Sequence, residues 1–338
     1  MRVAVVDIGT NSTRLLVADV HSDGSITELD RRTRVTRLGD GVDASGVLSD
    51  AAIARVLATL DDYAAVIAAL GAQARPAVLT SAVRDAANGQ EFVATVEQRY
   101  GLEARAIAGS EEAQLSFLGA TSDRDPGDQT PTLVIDVGGG STELILGAGR
   151  MVEFFVSLQA GAVRQSERHL TDDPPTLNEL AAAGAEVASL IDREVPEAVR
   201  RGAARAIAVA GTATSCAAID QALDPYDPTR VHGYHLELAT LKLLLARLAS
   251  LDLASRRKVR GLHPDRAPTI VAGVIILIRV LEAFELDGFE ASEHDILRGV
   301  ALRRAGVACA WMPGAGLAPA RPYGQQFSRP APKRTNTL

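Results

Sequence analysis

A chain of 338 residues is longer than one compact domain of about 100–200 residues, so two domains are predicted. The formal net charge of −7 disfavours a nucleic-acid-binding protein that works through bulk positive charge. The two cysteines, Cys216 and Cys309, are too few for a disulfide framework or a metal cluster, and we expect buried thiols.

The chain begins with a strand pattern. VAVV (3–6) follows MR directly and ends at Asp7, unlike a secretory signal peptide. TRLLVADV (13–20) follows a tight turn at GTN, and SDG (22–24) marks a second turn. These signals predict a β-meander and a cytoplasmic protein.

Helices and strands then alternate. Apolar residues at helical spacing cover 49–71, with Ser49 as N-cap and Gly71 at the end. PAVLT (76–80) reads as a strand. We further predict a helix near 89–100, a strand at 103–107 and a helix that Ser110 caps.

The segment TSDRDPGDQTP (121–131) is polar and rich in turn residues, which predicts a domain boundary. After it the opening pattern returns, with strand TLVIDV, a glycine turn, strand STELILG and strand MVEFFVS. AIAVAGTATS (206–215) gives one more strand and turn. IVAGVIILI (270–278) is far shorter than the roughly 20 residues that span a bilayer, so we expect a core helix and no membrane association.

Strands followed by helices, twice, predict a duplicated α/β architecture with a cleft between the halves. A strand follows the first glycine turn, whereas a Rossmann unit would continue with a helix. The sequence contains no GxxxxGK[ST], which excludes a P-loop.

One motif occurs twice. DIGTNSTRLLV (7–17) and DVGGGSTELIL (136–146) align without gaps and share five of eleven residues. A glycine turn that exposes successive backbone N–H groups is a binding site for anions. Two ordinary hairpins are the alternative, but the repetition favours two loops that grip one phosphate chain from both sides.

An acid begins each loop, Asp7 in the first and Asp136 in the second. A carboxylate would repel a bare phosphate. A divalent cation between the acid and the phosphate, most simply Mg²⁺ held partly through water, would remove this conflict.

These motifs resemble the actin, heat-shock-chaperone and sugar-kinase superfamily and, more narrowly, the exopolyphosphatase/guanosine pentaphosphatase phosphohydrolase family. Four stretches carry the narrower resemblance: DIGTNSTRLLV, TSAVRDAANG (80–89), IAGSEEAQLSFLG (107–119) and DVGGGSTELILG (136–147). VAGTATS (209–215) and VHGYHL (231–236) resemble later segments of the family.

The resemblance implies a short α/β form with two actin-like (ribonuclease H-like) domains. Each domain would be a mixed sheet flanked by helices, and the active-site cleft would lie between them. We predict domain I at 1–121 plus a returning helix within 296–312, domain II at 122–295, and a mobile proline-rich tail at 313–338.

The resemblance also implies roles for individual residues. Glu112 would be the catalytic base, Arg84 a phosphate-binding arginine, and Glu143 a further acid near metal or water. Asp136, Asp7 and Glu143 would be the metal-side carboxylates. The substrate would contact Thr10, Asn11, Ser12, Gly138, Gly139, Gly140 and Ser141. Glu111 is left open, because acids in a first helical turn also favour the helix dipole.

The implied activity is Mg²⁺-dependent hydrolysis of a terminal phosphoanhydride bond, with Mn²⁺ as a possible substitute. Polyphosphate is the first substrate and guanosine pentaphosphate (or the tetraphosphate as a ligand) the second. The alternatives are a kinase of the same superfamily, a nucleotide-switched filament or chaperone-like protein, and a non-catalytic regulator. A homodimer is also implied.

Two late segments are less regular. His232 and His235 have metal-ligand spacing, but no third ligand is near them in sequence, so a helix start or a wall of the cleft is favoured over a metal site. SEHDILRGVAL (292–302) resembles the family's SxxGLREG segment but departs from it, with Asp295 at the first glycine.

Overall fold

The computed structural model describes residues 1–125 and 127–317, which form twelve strands and fourteen α-helices. The strands are β1 (Arg2–Ile8), β2 (Ser12–Val20), β3 (Ile26–Val35), β4 (Pro76–Leu79), β5 (Glu103–Ala106), β6 (Thr132–Val137), β7 (Thr142–Ala148), β8 (Met151–Leu158), β9 (Arg205–Val209), β10 (His235–Glu237), β11 (Gly288–Ala291) and β12 (Ala310–Leu317). The helices are α1 (Val42–Ser45), α2 (Asp50–Leu70), α3 (Ser81–Asp85), α4 (Gly89–Tyr100), α5 (Gly109–Ala120), α6 (Ala162–His169), α7 (Leu177–Glu194), α8 (Glu197–Arg200), α9 (Ala210–Asp220), α10 (Pro228–Val231), α11 (Leu238–Ala249), α12 (Leu253–Arg256), α13 (Ile270–Ala283) and α14 (Ile296–Arg304).

The strands form two mixed sheets. The first has the order β3-β2-β1-β4-β5 and the second the order β10-β11-β9-β6-β7-β8-β12. In both, a three-stranded antiparallel meander continues into a parallel strand: β4 beside β1 in the first sheet, and β9 beside β6 in the second. The predicted duplicated α/β fold with mixed sheets is therefore confirmed.

Helices cover the sheets because their apolar faces need a partner to exclude water. One face of the first sheet packs on α2 and α4, and one face of the second packs on α7, α9 and α13. The segment IVAGVIILI lies in α13, where every residue from Ile270 to Ile278 is buried, so the predicted core helix is confirmed.

Helices α5 and α14 form the layer between the two sheets. Leu115 of α5 packs with α14 and the first sheet, whereas Phe117 packs with strands of the second. The two helices cross at backbone contact distance: a Cβ on Gly119 would lie 1.8 Å from the carbonyl oxygen of Asp295, and one on Gly299 would lie 1.8 Å from that of Leu115. This crossing fixes the N-terminal turn of α5.

Helix boundaries mostly follow the sequence signals. The Ser49 side chain accepts a hydrogen bond from Ala52 N, and Gly71 ends α2 with a φ of 66°, as predicted. The prediction that Ser110 caps α5 is wrong. The carbonyl of Ala108 already accepts from the N–H of Glu112 at 2.9 Å, so the helix begins before Ser110.

The C-terminal prediction needs a correction at its start. Residues 313–317 belong to β12, which pairs in parallel with β8, and are not part of a mobile tail. Residues 318–338 lie outside the described residues. Helix α14 packs on β1 and β2, as expected for a helix that returns to domain I, but the domain boundaries stay a prediction.

Two smaller expectations concern burial and membranes. Cys216 and Cys309 are both buried and unpaired, as predicted. In the described part of the chain, every helix is too short or too polar to cross a bilayer.

Candidate active site

The two repeated motifs form matching loops that touch each other. In each, the backbone N–H of the first glycine donates to the carbonyl of the motif's serine: Gly9 N to Ser12 O at 2.9 Å, and Gly138 N to Ser141 O at 3.0 Å. A Cβ on Gly139 would lie 3.3 Å from Cγ of Asn11. The loops therefore meet across the cleft, as the repetition predicted.

The carbonyl groups of the first loop are held by a neighbouring segment of the chain. Thr10 O accepts from Gly39 N at 2.8 Å. Asn11 O accepts from Thr36 N at 3.0 Å and from Arg37 N at 2.9 Å. With their carbonyls engaged, Thr10 and Asn11 keep backbone N–H groups that make no hydrogen bond within the described residues.

The second loop is held in the same way by the beginning of α6. Gly139 O accepts from Val163 N at 3.0 Å and from Arg164 N at 3.1 Å. Gly140 O accepts from Arg164 Nε at 2.8 Å. In the part of the chain that the structure covers, the N–H groups of Gly139 and Gly140 are also without a hydrogen bond. Four backbone donors thus lie at the junction of the loops, a suitable arrangement for phosphate oxygens.

Two further glycines, which the sequence analysis missed, allow these holding segments to approach. A Cβ on Gly39 would lie 2.3 Å from Cγ2 of Thr10, and a Cβ on Gly161 would lie 2.3 Å from the carbonyl oxygen of Gly139. Each follows the third strand of its meander. In the sequence, this shared position is the only sign that Gly39 and Gly161 support the loops. It is a weak sign, because the sequence does not show that they touch Thr10 and Gly139.

The strand register places different pairs of charged residues next to each other in the two halves. Asp7 lies opposite Arg14 in the β1–β2 pair, and Asp136 lies opposite Glu143 in the β6–β7 pair. Arg14 and Glu143 occupy the same place in the two motifs. The first half therefore pairs its acid with a cation, whereas the second half places two acids together.

The first acid is neutralised within the protein. Arg14 donates from Nε to Asp7 Oδ2 at 2.8 Å, and a second nitrogen lies 2.7 Å from the same oxygen. Burial still raises the pKa of Asp7, because it outweighs the opposing charge of Arg14. Asp7 Oδ1 is buried and has no hydrogen-bond partner among the described residues.

The second acidic pair, Asp136 and Glu143, forms no ion pair with a cation among the residues that the structure describes. Burial first, and then the charge of Glu143, raises the pKa of Asp136 to about 7. Burial also raises the pKa of Glu143, although two hydroxyls oppose this by donating to Oε1: Ser157 at 2.6 Å and Ser141 at 2.8 Å. Ser141 and Glu143 share a face, as strand alternation predicted, and Ser157 is a support that the sequence did not reveal.

Glu112 faces this acidic pair from the first turn of α5. Its side chain lines the cleft, where 24% of its surface is exposed, and protein atoms cover the rest. Burial, followed by the charge of Glu143, raises the pKa of Glu112 to about 8, while Arg84 opposes the shift. Arg84 lies 3.6 Å from Glu112 Oε2 and is anchored by donation to Ile107 O at 2.9 Å.

Glu111, which the sequence left open, has a structural role. Two nitrogens of Arg105 donate to its oxygens at 2.6 and 2.7 Å, and Arg303 of α14 donates to Oε1 at 2.7 Å. The hydrogen bond from Arg105 lowers the pKa of Glu111. Glu111 thus joins α5 to α14.

The remaining predicted loop residues lie at the same junction. Thr10 Oγ1 is 2.8 Å from Ser81 Oγ, which links the first loop to the TSAVRD segment that carries Arg84. Ser12 begins β2 and is half-buried. The structure therefore brings together all the residues that the sequence named for catalysis and substrate binding, while their roles stay predictions.

His232 does not act with His235, which lies on β10. It instead meets Asp123 and His294, with Asp123 Oδ2 3.0 Å from His232 Nε2 and 2.6 Å from His294 Nδ1. Within the described residues this is the one group with three candidate metal-ligand atoms within 4.8 Å of one another.

The hydrogen bonds of this cluster oppose metal binding. His232 Nδ1 accepts from the N–H of Glu293 at 3.3 Å, and His294 Nε2 lies 3.0 Å from a nitrogen of Arg298. A metal on the other ring nitrogens would require N–H groups at both of these positions, directed at donors. The cluster is therefore a hydrogen-bonded contact that joins Asp123 to His232 and His294.

The cleft carboxylates do fit a divalent cation bound largely through water. Asp136 and Glu143 are adjacent and mutually repulsive, and Asp7 Oδ1 offers a further oxygen without a donor. Mg²⁺ typically takes one or two protein carboxylates together with water and phosphate oxygens. The donor set here is of that kind.

Comparisons with known proteins agree with this site. A family model described as the Ppx/GppA phosphatase family matches residues 16–306. Exopolyphosphatase 2 of Mycobacterium tuberculosis is 39% identical over 320 residues, covering 90% of this chain and 99% of that protein.

Two solved structures extend the comparison. The crystal structure of the Aquifex aeolicus member of the Ppx/GppA family has a TM-score of 0.79 at 31% identity, covering 90% of this chain and 97% of that one. An exopolyphosphatase-like protein has a TM-score of 0.80 at 37% identity, covering 90% and 99%. The predicted actin-like architecture and hydrolase class are confirmed, and this chain belongs to the Ppx/GppA phosphatase family.

Proposed function

We propose that this chain is a Mg²⁺-dependent exopolyphosphatase that releases orthophosphate from the end of polyphosphate in the cytoplasm. The observation that carries the proposal is the junction of the two loops. Four backbone N–H groups that make no hydrogen bond within the described residues meet there, beside Glu112, Arg84 and an acidic pair that forms no ion pair among those residues.

Substrate binding would use the backbone first. The N–H groups of Thr10 and Asn11 on one side, and of Gly139 and Gly140 on the other, would hold the terminal and penultimate phosphates. The guanidinium of Arg84 would bind a phosphate oxygen and offset the charge that develops in the transition state. The phosphorus would thereby be positioned near Glu112.

Asp136 and Glu143 would hold Mg²⁺, or Mn²⁺ in its place, with Asp7 contributing through its unpaired oxygen. When bound, the cation supplies charge neutralisation for the phosphates. Ser141 and Ser157 direct Glu143 by occupying its Oε1, which leaves Oε2 for the cation.

Glu112 would act as the general base. It would orient a water molecule toward the terminal phosphorus and accept its proton as the new P–O bond forms. The bridging P–O bond to the penultimate phosphate would break in the same step, releasing orthophosphate and the shortened polyphosphate, whose new negative charge the bound cation would offset. Burial and the charge of Glu143 raise the pKa of the Glu112 carboxyl, whereas the positive charge of Arg84 opposes this shift. The charge of a bound cation would act in the same direction as Arg84 and favour the ionised base.

Guanosine pentaphosphate, which would lose its 5′ γ-phosphate, is the second candidate substrate. The family description joins both activities, and both substrates present the same terminal anhydride. The homodimer that the resemblance implies also stays a prediction.

The test is a phosphate-release assay on long polyphosphate, short polyphosphate, guanosine pentaphosphate and ATP, with Mg²⁺ or with chelator. We expect Mg²⁺-dependent release from at least one of the first three. Glu112→Gln should reduce the rate by about two orders of magnitude or more, the usual effect of removing a general base.

Glu111→Gln is the matched control, because it removes the adjacent charge without touching the cleft. Its rate should remain of the same order as wild type. A fully active Glu112→Gln would reject the assignment of the base. Tight polyphosphate binding without release by wild type would point to a regulator, and transfer from ATP to an acceptor would point to a kinase.

A further inference from the structure

Asp295 is a buried acid next to the active site that belongs to neither loop. It caps α14 by accepting from Leu297 N at 3.0 Å, and its side chain is 8% exposed. Its backbone is fixed by the close crossing of α5 and α14 at Gly119. In the sequence, Asp295 is notable only as a departure from the family pattern.

The other oxygen of Asp295 forms an ion pair with Arg14, across 281 residues of sequence. Arg14 is thus held between Asp7 and Asp295. Although burial lowers it, the pKa of Arg14 lies above its ordinary value because of the charges of Asp295, Asp7 and Asp136. Arg14 is therefore cationic, and its charge interacts with that of Asp136 in the second loop.

A guanidinium and a divalent cation compete for the same carboxylates. Besides Asp295 and Asp7, the acid whose charge raises the pKa of Arg14 is Asp136, so its attraction for Arg14 would remain if Asp295 lost its charge. Arg14 would then be drawn toward the Asp136–Glu143 pair and oppose a cation there. Arg31, 4.0 Å from Asp295 Oδ1, is already paired with Glu28 at 2.9 Å and would not replace the lost contact.

We propose that Asp295 is a positioning residue of the active site, which holds Arg14 on Asp7 and keeps the Asp136–Glu143 pair available for the divalent cation. The inference rests on the proposed function only in that this cation is the one used in hydrolysis. It concerns cation binding, which can be measured without substrate.

The test is Asp295→Asn, because asparagine preserves both the size of the side chain and the N-cap. Mn²⁺ affinity would be measured by calorimetry on the full chain without substrate. We expect it to fall about fivefold or more, the low end of typical coupling between sites. The Mg²⁺ concentration that half-activates phosphate release should rise by the same factor, with kcat at saturating Mg²⁺ much less affected.

Asp252→Asn is the control, since Asp252 is also an N-cap aspartate, accepting from Ser255 N at 2.7 Å, but has no ion pair with Arg14. It should bind Mn²⁺ as wild type does. Unchanged Mn²⁺ affinity in Asp295→Asn would overturn the proposal.

Arg14→Gln provides a second, independent arm. It removes the competitor, so Mn²⁺ affinity should equal or exceed that of wild type, and adding Asp295→Asn should change it no further. A loss of affinity in Arg14→Gln, or an additive loss in the double variant, would also overturn the proposal. If no substrate is hydrolysed, these binding results still stand on their own.

Discussion

Adjacent residues can have opposite roles when they lie on different sides of one helix. Glu111 and Glu112 both lie in the first turn of α5, where either acid would favour the helix dipole. Glu111 turns toward Arg105 and Arg303, which lower its pKa, whereas Glu112 turns into the cleft, where burial and Glu143 raise its pKa to about 8. Partners, and not residue type, separate the proposed general base from the acid that joins α5 to α14.

This difference predicts a pH effect on stability. The raised folded-state pKa of Glu112 means that the folded protein binds this proton more tightly than the unfolded chain, whose ordinary value is 4.5. The resulting stabilisation is complete below about pH 4.5 and is lost as the pH rises toward 8. Glu112→Gln should therefore raise the melting temperature of metal-free protein at pH 8 by about 2–4 °C, the shift for roughly 1 kcal/mol.

The gain should disappear at pH 5, where wild type is itself protonated. Differential scanning calorimetry in chelator at both pH values measures the difference. Glu111→Gln should behave oppositely, since its ion pairs contribute stability above its lowered pKa. Equal melting temperatures for wild type and Glu112→Gln at pH 8 would contradict the assigned environment.

At the scale of elements, the α5–α14 crossing is the feature on which the site depends. The helix that carries Glu112 contacts the helix that Asp295 caps, and Gly119 and Gly299 leave room for backbone to touch backbone. Close packing of this kind transmits small displacements, because interiors have few voids to absorb them. The positions of Glu112 and of Asp295, the counter-ion of Arg14, are therefore both set by one helix pair.

Gly299→Ala should disturb this pair. The new Cβ would meet the Leu115 carbonyl oxygen at 1.8 Å, and backbone atoms cannot move aside cheaply. We expect a loss of stability of about 1–3 kcal/mol, as for overpacking, measured by urea denaturation. Gly109→Ala is the control in α5, because its Cβ would make only ordinary contact with Phe155 at 3.5 Å.

A wild-type-like midpoint for Gly299→Ala would show that the crossing is looser than described. The helix preference of alanine over glycine, about 1 kcal/mol, acts in favour of both variants. The comparison between the two variants therefore isolates the clash.

At the scale of the whole molecule, each half supplies one loop and neither supplies a complete site. The first sheet brings Thr10 and Asn11, the second brings Gly139 and Gly140, and the layer of α5 and α14 lies between them. A phosphate chain that occupies the junction must contact both halves. Binding should therefore restrain the two loops together.

Hydrogen exchange with triphosphate and Mg²⁺ tests this coupling in the Glu112→Gln variant, where turnover is slow. The free N–H groups at 10–11 and 139–140 should both gain protection, because each would become a donor to phosphate. Triphosphate without Mg²⁺ is the control and should protect less. Protection confined to one loop would contradict a site shared by the two halves.

The sequence alone determined the repeated motif, the α/β architecture and the residues of both loops. These follow from local rules, since glycine turns, strand alternation and motif spacing need only near neighbours in the chain. Even the face shared by Ser141 and Glu143 came from strand alternation.

Only the tertiary structure decided which partners complete the site. Arg14 meets Asp295, His232 meets His294 and not His235, and Glu111 meets Arg303. Such contacts join segments that lie far apart in the chain, and local spacing carries no information about which of them will meet. The charge difference between the halves was visible at Arg14 and Glu143, but its consequence depends on a residue 281 positions away.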